Sequence, residues 1–423
     1  MTKLMNNNIK YESVKVPYDS GLLISVIMLC TIGFLAVFSA SVPMCMSKHI
    51  NAFHFLIQHI MWLCVGVAGL FFFSKFDYHN LKKYTFKFAI AVIILLLIVK
   101  FTPLGVVING ARRWLNFGFF QFQPSELSKL ATIMLLASLF SLKQQWFKDK
   151  FLGHFCSLVS ILYIIFEQPE FIIVIAMVIL CFVAYLSPYI FTILIMMLII
   201  FKQPNLSMVL ILCGICGFMY ICSGKTLKYI YIGFAIFVSL FVMVKSDIVD
   251  LTKFMEPHQV SRIMNWHNSE TDLQGEGYQV YHSMIAISSG GIFGQGYGGS
   301  KEKHGWLPEA HTDFIFSVIS EEMGFLGSFF VILLFLTLFY RGMYVAAKSP
   351  DMYGKLLAVG ITSSIVMQAF FNIAVATSFL PATGITLPFV SYGGSSLAVS
   401  MSLVGVHLNI SKFQRRRVII NRK

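Results

Sequence analysis

The chain has 423 residues, of which 57% are hydrophobic and 12% charged, with a mean hydropathy of +0.76. That is too apolar and too sparsely charged for an ordinary soluble globular protein. A net charge of +13 could serve nucleic acid, but the basic residues are dispersed between apolar runs and form no single patch, so no nucleic-acid partner is expected.

Residues 1–20 are polar and read as a cytoplasmic tail. No short apolar core with a small-residue cleavage site lies there, so the first span itself is expected to target the membrane. Apolar runs follow at 21–42, 53–74, 86–101, 124–140 and 152–166, close to the ~20 residues that cross ~30 Å of hydrocarbon. The basic residues sit between alternate runs: Lys3, Lys10 and Lys15; Lys75, Lys82, Lys83 and Lys87; Lys143, Lys148 and Lys150; Arg341 and Lys348; then Arg415, Arg416, Arg417, Arg422 and Lys423. Alternating spans place all of them on one side, which the positive-inside rule makes cytoplasmic. Both termini are then cytoplasmic, 413–423 is a basic tail, and 103–123, 247–310 and 378–394 face outward.

The central stretch is interrupted twice, by Gln168-Pro169-Glu170 and by Gln203-Pro204-Asn205. Proline removes a backbone donor and suits the first turn of a fresh helix. The doubled interruption predicts an extra hairpin at about 170–205, so ten or twelve spans are compatible with the charges. Cys213 and Cys216 have zinc-like spacing but lack a second pair, and the cysteines read as small apolar residues within spans. The outward loop, about 245–310, is rich in glycine between Ser288 and Ser300, where backbone can turn tightly and approach other groups. Residues 280–287 within it read as an amphipathic helix lying at the interface.

Asp313, Ser317 and Glu321 then fall at i, i+4 and i+8 at the start of an apolar run, on one helical face. An ionisable group in hydrocarbon costs roughly 2.5–3.5 kcal/mol, so such acids are functional candidates. Thr312 and Asp313 also suit a helix N-cap. Glu126 and Lys129, at i and i+3, can pair within the fourth span.

Three blocks resemble the SEDS family of FtsW/RodA/SpoVE type: residues 110–129, with Gly110-Ala-Arg-Arg-Trp-Leu-Asn-Phe-Gly118 and Gln123-Pro-Ser-Glu-Leu-Ser-Lys129; residues 307–324; and Leu380 through Ser395, with Leu-Pro-Phe-Val-Ser-Tyr-Gly-Gly-Ser. The second and third blocks are more similar to the division branch, FtsW, than to the RodA-like elongation branch. The family's Gln-Pro-Asp-Phe/Leu-Gly block is not reproduced, so the resemblance carries no role onto Glu170 or Asn205.

The resemblance implies an all-α polytopic membrane protein, with a single SEDS-type domain over 21–412 in the bacterial inner membrane. It implies a peptidoglycan glycosyltransferase that polymerises lipid II with inversion and expels undecaprenyl diphosphate, acting in septal synthesis. A lipid II transporter and a non-catalytic scaffold are the alternatives. The essential acid falls on Asp313, expected to act as general base. Arg112, Arg113 and Lys129, with Glu126 as partner, are candidates for the diphosphate. His311, Glu321, Glu322, Ser391, Tyr392, Gly393, Gly394 and Ser395 are read as support for the cavity, although Glu321 and Glu322 could instead clamp their helix to neighbours. A divalent cation, magnesium or manganese, could bridge Asp313 and diphosphate; no organic cofactor is expected. Implied partners are lipid II, a class B penicillin-binding protein, divisome proteins and membrane lipids.

Overall fold

The computed structural model describes residues 9–108, 111–116, 118, 121–142, 188–224 and 277–419. Ten helices lie among them: α1 Ser20–Ser47, α2 His54–Lys75, α3 Tyr78–Phe101, α4 Ser125–Phe140, α5 Pro188–Phe201, α6 Leu206–Cys222, α7 Gly277–Ser289, α8 Ile315–Lys348, α9 Met352–Ala376 and α10 Gly394–Ser411. Five of these, α1, α2, α3, α8 and α9, are long and apolar enough to cross a membrane. The all-α membrane bundle expected from the sequence is therefore observed. The 166–171 interruption lies outside the described residues, whereas at Gln203-Pro204-Asn205 one helix does end and another begin. Asn205 caps α6 by accepting from the Met208 N–H at 3.3 Å.

Three local structures differ from the sequence reading. Helix α3 starts at Tyr78, eight residues before the apolar run, because the Asp77 carboxylate accepts from the His79 N–H and caps it. The segment after α3 is not a plain loop but an antiparallel sheet of β2 Gly105–Ile108, β3 Ala111–Asn116 and β4 Gln121–Phe122. The two tails pair with each other, β1 Ile9–Lys15 against β5 Phe413–Ile419, with Ile9 opposite Ile419. Helix α7 is amphipathic, as read: Tyr281 and Met284 are exposed, while on the opposite face Ser283 is fully buried, bonded to the Ser317 hydroxyl and to the Ala376 carbonyl, both at 2.6 Å. Its polar residue seeks a partner inside the bundle, so α7 packs on α8 and α9.

Small residues set the closest crossing. On α10, a Cβ on Gly405 would stand 2.5 Å from the Leu70 carbonyl of α2, so the two helices meet backbone to backbone, as membrane helices do at small residues. At one end of the bundle lie the segments read as cytoplasmic. Arg341 grips the Asp19 carboxylate through two bonds of 2.9 and 2.6 Å, Tyr78 donates its hydroxyl to Asp351 at 2.6 Å, and Lys412 reaches the Ser74 carbonyl at 2.7 Å.

Helix α8 is broken at Gly324, whose φ of 67° and ψ of −164° are non-helical. The glycine-rich loop after α7 fills the break. Gln295 and Gly296 donate their N–H groups to the Glu321 and Glu322 carbonyls, and Phe325 and Leu326 donate theirs to Gly291 and Ile292. A break inside a bundle is tolerable only when the freed backbone groups find such partners. Gly294 must be glycine: at φ 83°, a Cβ would stand 2.1 Å from the Glu322 carbonyl oxygen.

Candidate active site

A cavity of about 600 Å³ opens among the segments read as outward. Its wall combines the end of α1 (Lys48), the start of α2 (Gln58, Trp62), strand β3 (Arg113, Trp114), the start of α4 (Glu126) and the loops before α8 and α10. Asp313 stands in this wall, with Glu309 and His311 beside it.

Asp313 lies ahead of the helix, not on it. Helix α8 begins at Ile315, its cap residue is Phe314, and no side chain caps it. The cap role for Thr312 or Asp313 is thereby set aside, and so is the single face through Asp313, Ser317 and Glu321. What shapes this turn is Glu309, at φ 53°, whose carbonyl oxygen receives the N–H groups of Thr312, Asp313 and Phe314 at 3.1, 3.2 and 3.3 Å. Left-handed backbone at a non-glycine residue is strained and collects at functional sites. Thr312 adds a 2.8 Å bond to the Glu309 carboxylate. Across the cavity edge Gly384, at φ 67°, passes so close that its Cβ would stand 3.5 Å from Asp313 Oδ2.

His311 is 5% exposed. Its ring packs 4.8 Å from Phe55 and 5.7 Å from Tyr392, while its carbonyl accepts from the Tyr392 N–H at 3.0 Å. Burial pushes its pKa down, with the Lys48 charge acting the same way and Glu309 opposing. Burial thus favours the neutral imidazole, and the ring serves as part of the cavity wall.

The expected pair is present: Lys129 Nζ lies 2.7 Å from Glu126 Oε2, with side chains 1% and 6% exposed. Only Glu126 reaches the cavity. Lys129 stands behind it and donates to Gln368 Oε1 at 2.6 Å. The two arginines separate as well. Neighbours on a strand point to opposite faces, so Arg113 lines the cavity, donating to the Gln203 and Pro204 carbonyls. Arg112 folds back onto the carbonyls of Gly105 at 2.8 Å, Thr102 at 2.8 Å and Lys100 at 3.4 Å. It staples β3 to the start of β2 and to the end of α3.

Glu321 and Glu322 are clamps and do not line the cavity. Glu321 accepts from Ser300 at 2.5 Å and from the Lys301 N–H at 2.8 Å; Glu322 accepts from Ser39 and from Lys303, both at 2.6 Å. In the last block Tyr392, Gly393 and Gly394 line the cavity, and Tyr392 donates to Gln58. A Cβ on Gly394 would stand 2.3 Å from Trp62 Nε1. Ser391 and Ser395 lie behind, accepting from the N–H groups of Leu387 and Gln123 at 2.8 and 3.3 Å.

Sequence reasoning passed over several wall residues. Lys48 carried a signal: it is a cation on an outward end, where the positive-inside bias gives no reason for one. Thr383 and Thr386 lay within the third resembling block, whereas Gln58, Gln368 and Ser396 carried no signal beyond polarity in or beside apolar runs. Among the described residues no group of three His, Cys, Asp or Glu side chains is placed to hold a metal ion.

The profile of the Cell cycle protein family, covering FtsW, RodA and SpoVE, matches residues 20–188 and 183–416. Stage V sporulation protein E of Bacillus subtilis is 35% identical over 404 residues, which is 95% of this chain and 99% of that protein. The probable peptidoglycan glycosyltransferase FtsW of Geobacter metallireducens is 34% identical over 408 residues, 96% of this chain and 98% of the relative. Among solved structures, a chain from work on structural coordination of polymerization and crosslinking by a peptidoglycan synthase complex superposes with a TM-score of 0.68 at 26% identity, over 93% of this chain and 97% of that one. Thermus thermophilus RodA shares the fold, with a TM-score of 0.61, 22% identity and 93% and 96% coverage.

Proposed function

The chain belongs to the FtsW/RodA/SpoVE family, and from that premise we propose that it is a peptidoglycan glycosyltransferase that polymerises lipid II. The observation that carries this reading is Asp313 in the wall of a cavity that also holds Arg113, Lys48 and Glu126. A carboxylate there can take the proton of an acceptor sugar hydroxyl as its oxygen bonds to the anomeric carbon of the donor. The bond from that carbon to the undecaprenyl diphosphate breaks in the same displacement, which inverts the centre. Charge builds on the departing diphosphate, and fixed cations at the wall stabilise it. Lys48 and Arg113 are the cations so placed. Lys129 contributes from behind by holding the Glu126 carboxylate.

The setting of this activity follows the same relatives. We place the protein in the bacterial inner membrane with both termini cytoplasmic, acting at the division septum with a class B penicillin-binding protein and other divisome components. The peptidoglycan synthase complex among the structural neighbours supports such a partner.

The test is lipid II incubated with purified wild-type and Asp313→Asn protein, with and without the penicillin-binding protein and with and without magnesium or manganese. Wild type gives a ladder of glycan strands and Asp313→Asn gives none, at unchanged yield and oligomeric state. A full ladder from the variant refutes the assignment of the base. Movement of lipid II across vesicles without any ladder from wild type would make the protein a transporter.

A further inference from the structure

Helix α9 crosses behind the cavity carrying two carboxamides one turn apart, Gln368 and Asn372, which are 2% and 1% exposed. Residues four apart share a helical face. Asn372 Nδ2 donates to the backbone carbonyl of Asp313 and to that of Ile385, both at 2.7 Å. Gln368 Nε2 donates to the Thr386 carbonyl at 3.0 Å and to the Ser396 hydroxyl at 3.2 Å, while its Oε1 accepts from Lys129. The two amides therefore grip adjacent residues, Ile385 and Thr386, of the loop before α10. One joins that loop to the base and the other joins it to the Glu126–Lys129 pair.

The amides are well suited to such a task. Each offers two donors on one nitrogen, so a single group can hold two carbonyls at a fixed separation. Every buried carbonyl they satisfy is costly to leave unpaired. Among the described residues Asn372 Oδ1 is buried with no hydrogen-bond partner, so the side chain is held through its nitrogen. The loop so gripped carries Gly384, the close neighbour of Asp313 Oδ2.

We propose that Asn372 is a positioning residue for Asp313, fixing the base against the Ile385 backbone and, through the loop shared with Gln368, at a set distance from the Glu126–Lys129 side of the cavity. The proposal rests on the polymerase reading. Displacing a reacting group by about 1 Å can lower a rate about 100-fold, with substrate binding largely untouched. Asn372→Ala removes both bonds. Asn372→Asp keeps the volume but opposes a carboxylate to two carbonyls.

The experiment measures kcat and KM for lipid II polymerisation by both variants, together with thermal unfolding. It also measures the rate at which a carbodiimide modifies the Asp313 carboxyl, read by mass spectrometry. Both variants should lose about 100-fold in kcat, keep KM within about twofold and show an altered carbodiimide rate at Asp313, and Asn372→Ala should unfold within a few degrees of wild type. Unchanged kcat, or an equal change in KM alone, overturns the proposal. So does unfolding of both variants well below wild type, since Asn372 would then be a folding group only. If wild type itself makes no glycan while the carbodiimide rate still responds to Asn372, the polymerase reading fails and the positioning role stands.

Discussion

Two lysine–carboxylate pairs are buried to nearly the same depth in this bundle, and only one of them touches the cavity. Lys129 and Glu126 meet at 2.7 Å, one turn apart on a single helix. Lys303 and Glu322 meet at 2.6 Å across a loop, with Ser39 of α1 as their shared third partner. Burying two charges is expensive, and a pair replaced by apolar residues is often no less stable than before. Retention of both pairs therefore asks for two reasons. For Glu126 the reason is chemical, since its carboxylate is part of the cavity wall. For Glu322 it is architectural: the pair pins the glycine loop to the break in α8 and to α1, a short way along the chain from the turn that presents Asp313.

The largest effect should come from breaking either pair by half. Lys303→Met or Lys129→Met leaves a carboxylate buried and unpaired, and each should lower stability by about 3–5 kcal/mol, seen as a fall in the unfolding temperature of the purified protein. The double replacements then part company. Lys303→Met with Glu322→Leu should regain stability and retain glycan synthesis, whereas Lys129→Met with Glu126→Leu should regain stability without it. Equal activity from the two doubles would erase the distinction.

Gly294→Ala sharpens the architectural half. The new Cβ meets the Glu322 carbonyl and forces left-handed backbone on alanine, so a loss of about 2–3 kcal/mol is expected, measured by chemical denaturation. Activity of the surviving folded fraction should be near normal. The smallest effect separates the adjacent arginines. Arg112→Ala should cost about 1–2 kcal/mol through the carbonyls it abandons and leave the kinetics with lipid II unchanged, while Arg113→Ala should cost a similar amount through the Gln203 and Pro204 carbonyls and lower kcat as well.

These contrasts mark how far the sequence could be read. The Glu126–Lys129 pair was legible because its spacing alone brings the two side chains together on a helix. The Glu322–Lys303 pair was not, because its contact depends on a loop folding back over a helix break that no periodicity announces. Arg112 and Arg113 were indistinguishable while 103–123 read as a loop; recognising β3 as a strand would have sent them to opposite faces. The position of Asp313 was clear from its charge beside an apolar run, but its release from the helix depends on the unusual backbone of Glu309. The amphipathic character of helix α7 was legible, but not that its buried face carries Ser283, whose partners Ser317 and Ala376 lie on α8 and α9.

The ribbon that joins Ile9–Lys15 to Phe413–Ile419 has a consequence for biogenesis. Strand β1 is translated before every helix described above, and its partner only after all of them. Insertion proceeds span by span while β1 waits unpaired, and zipping the ribbon is necessarily a late act of maturation. Loop closure over so long a separation is slow, so this ribbon reports that the ten described helices have all been made.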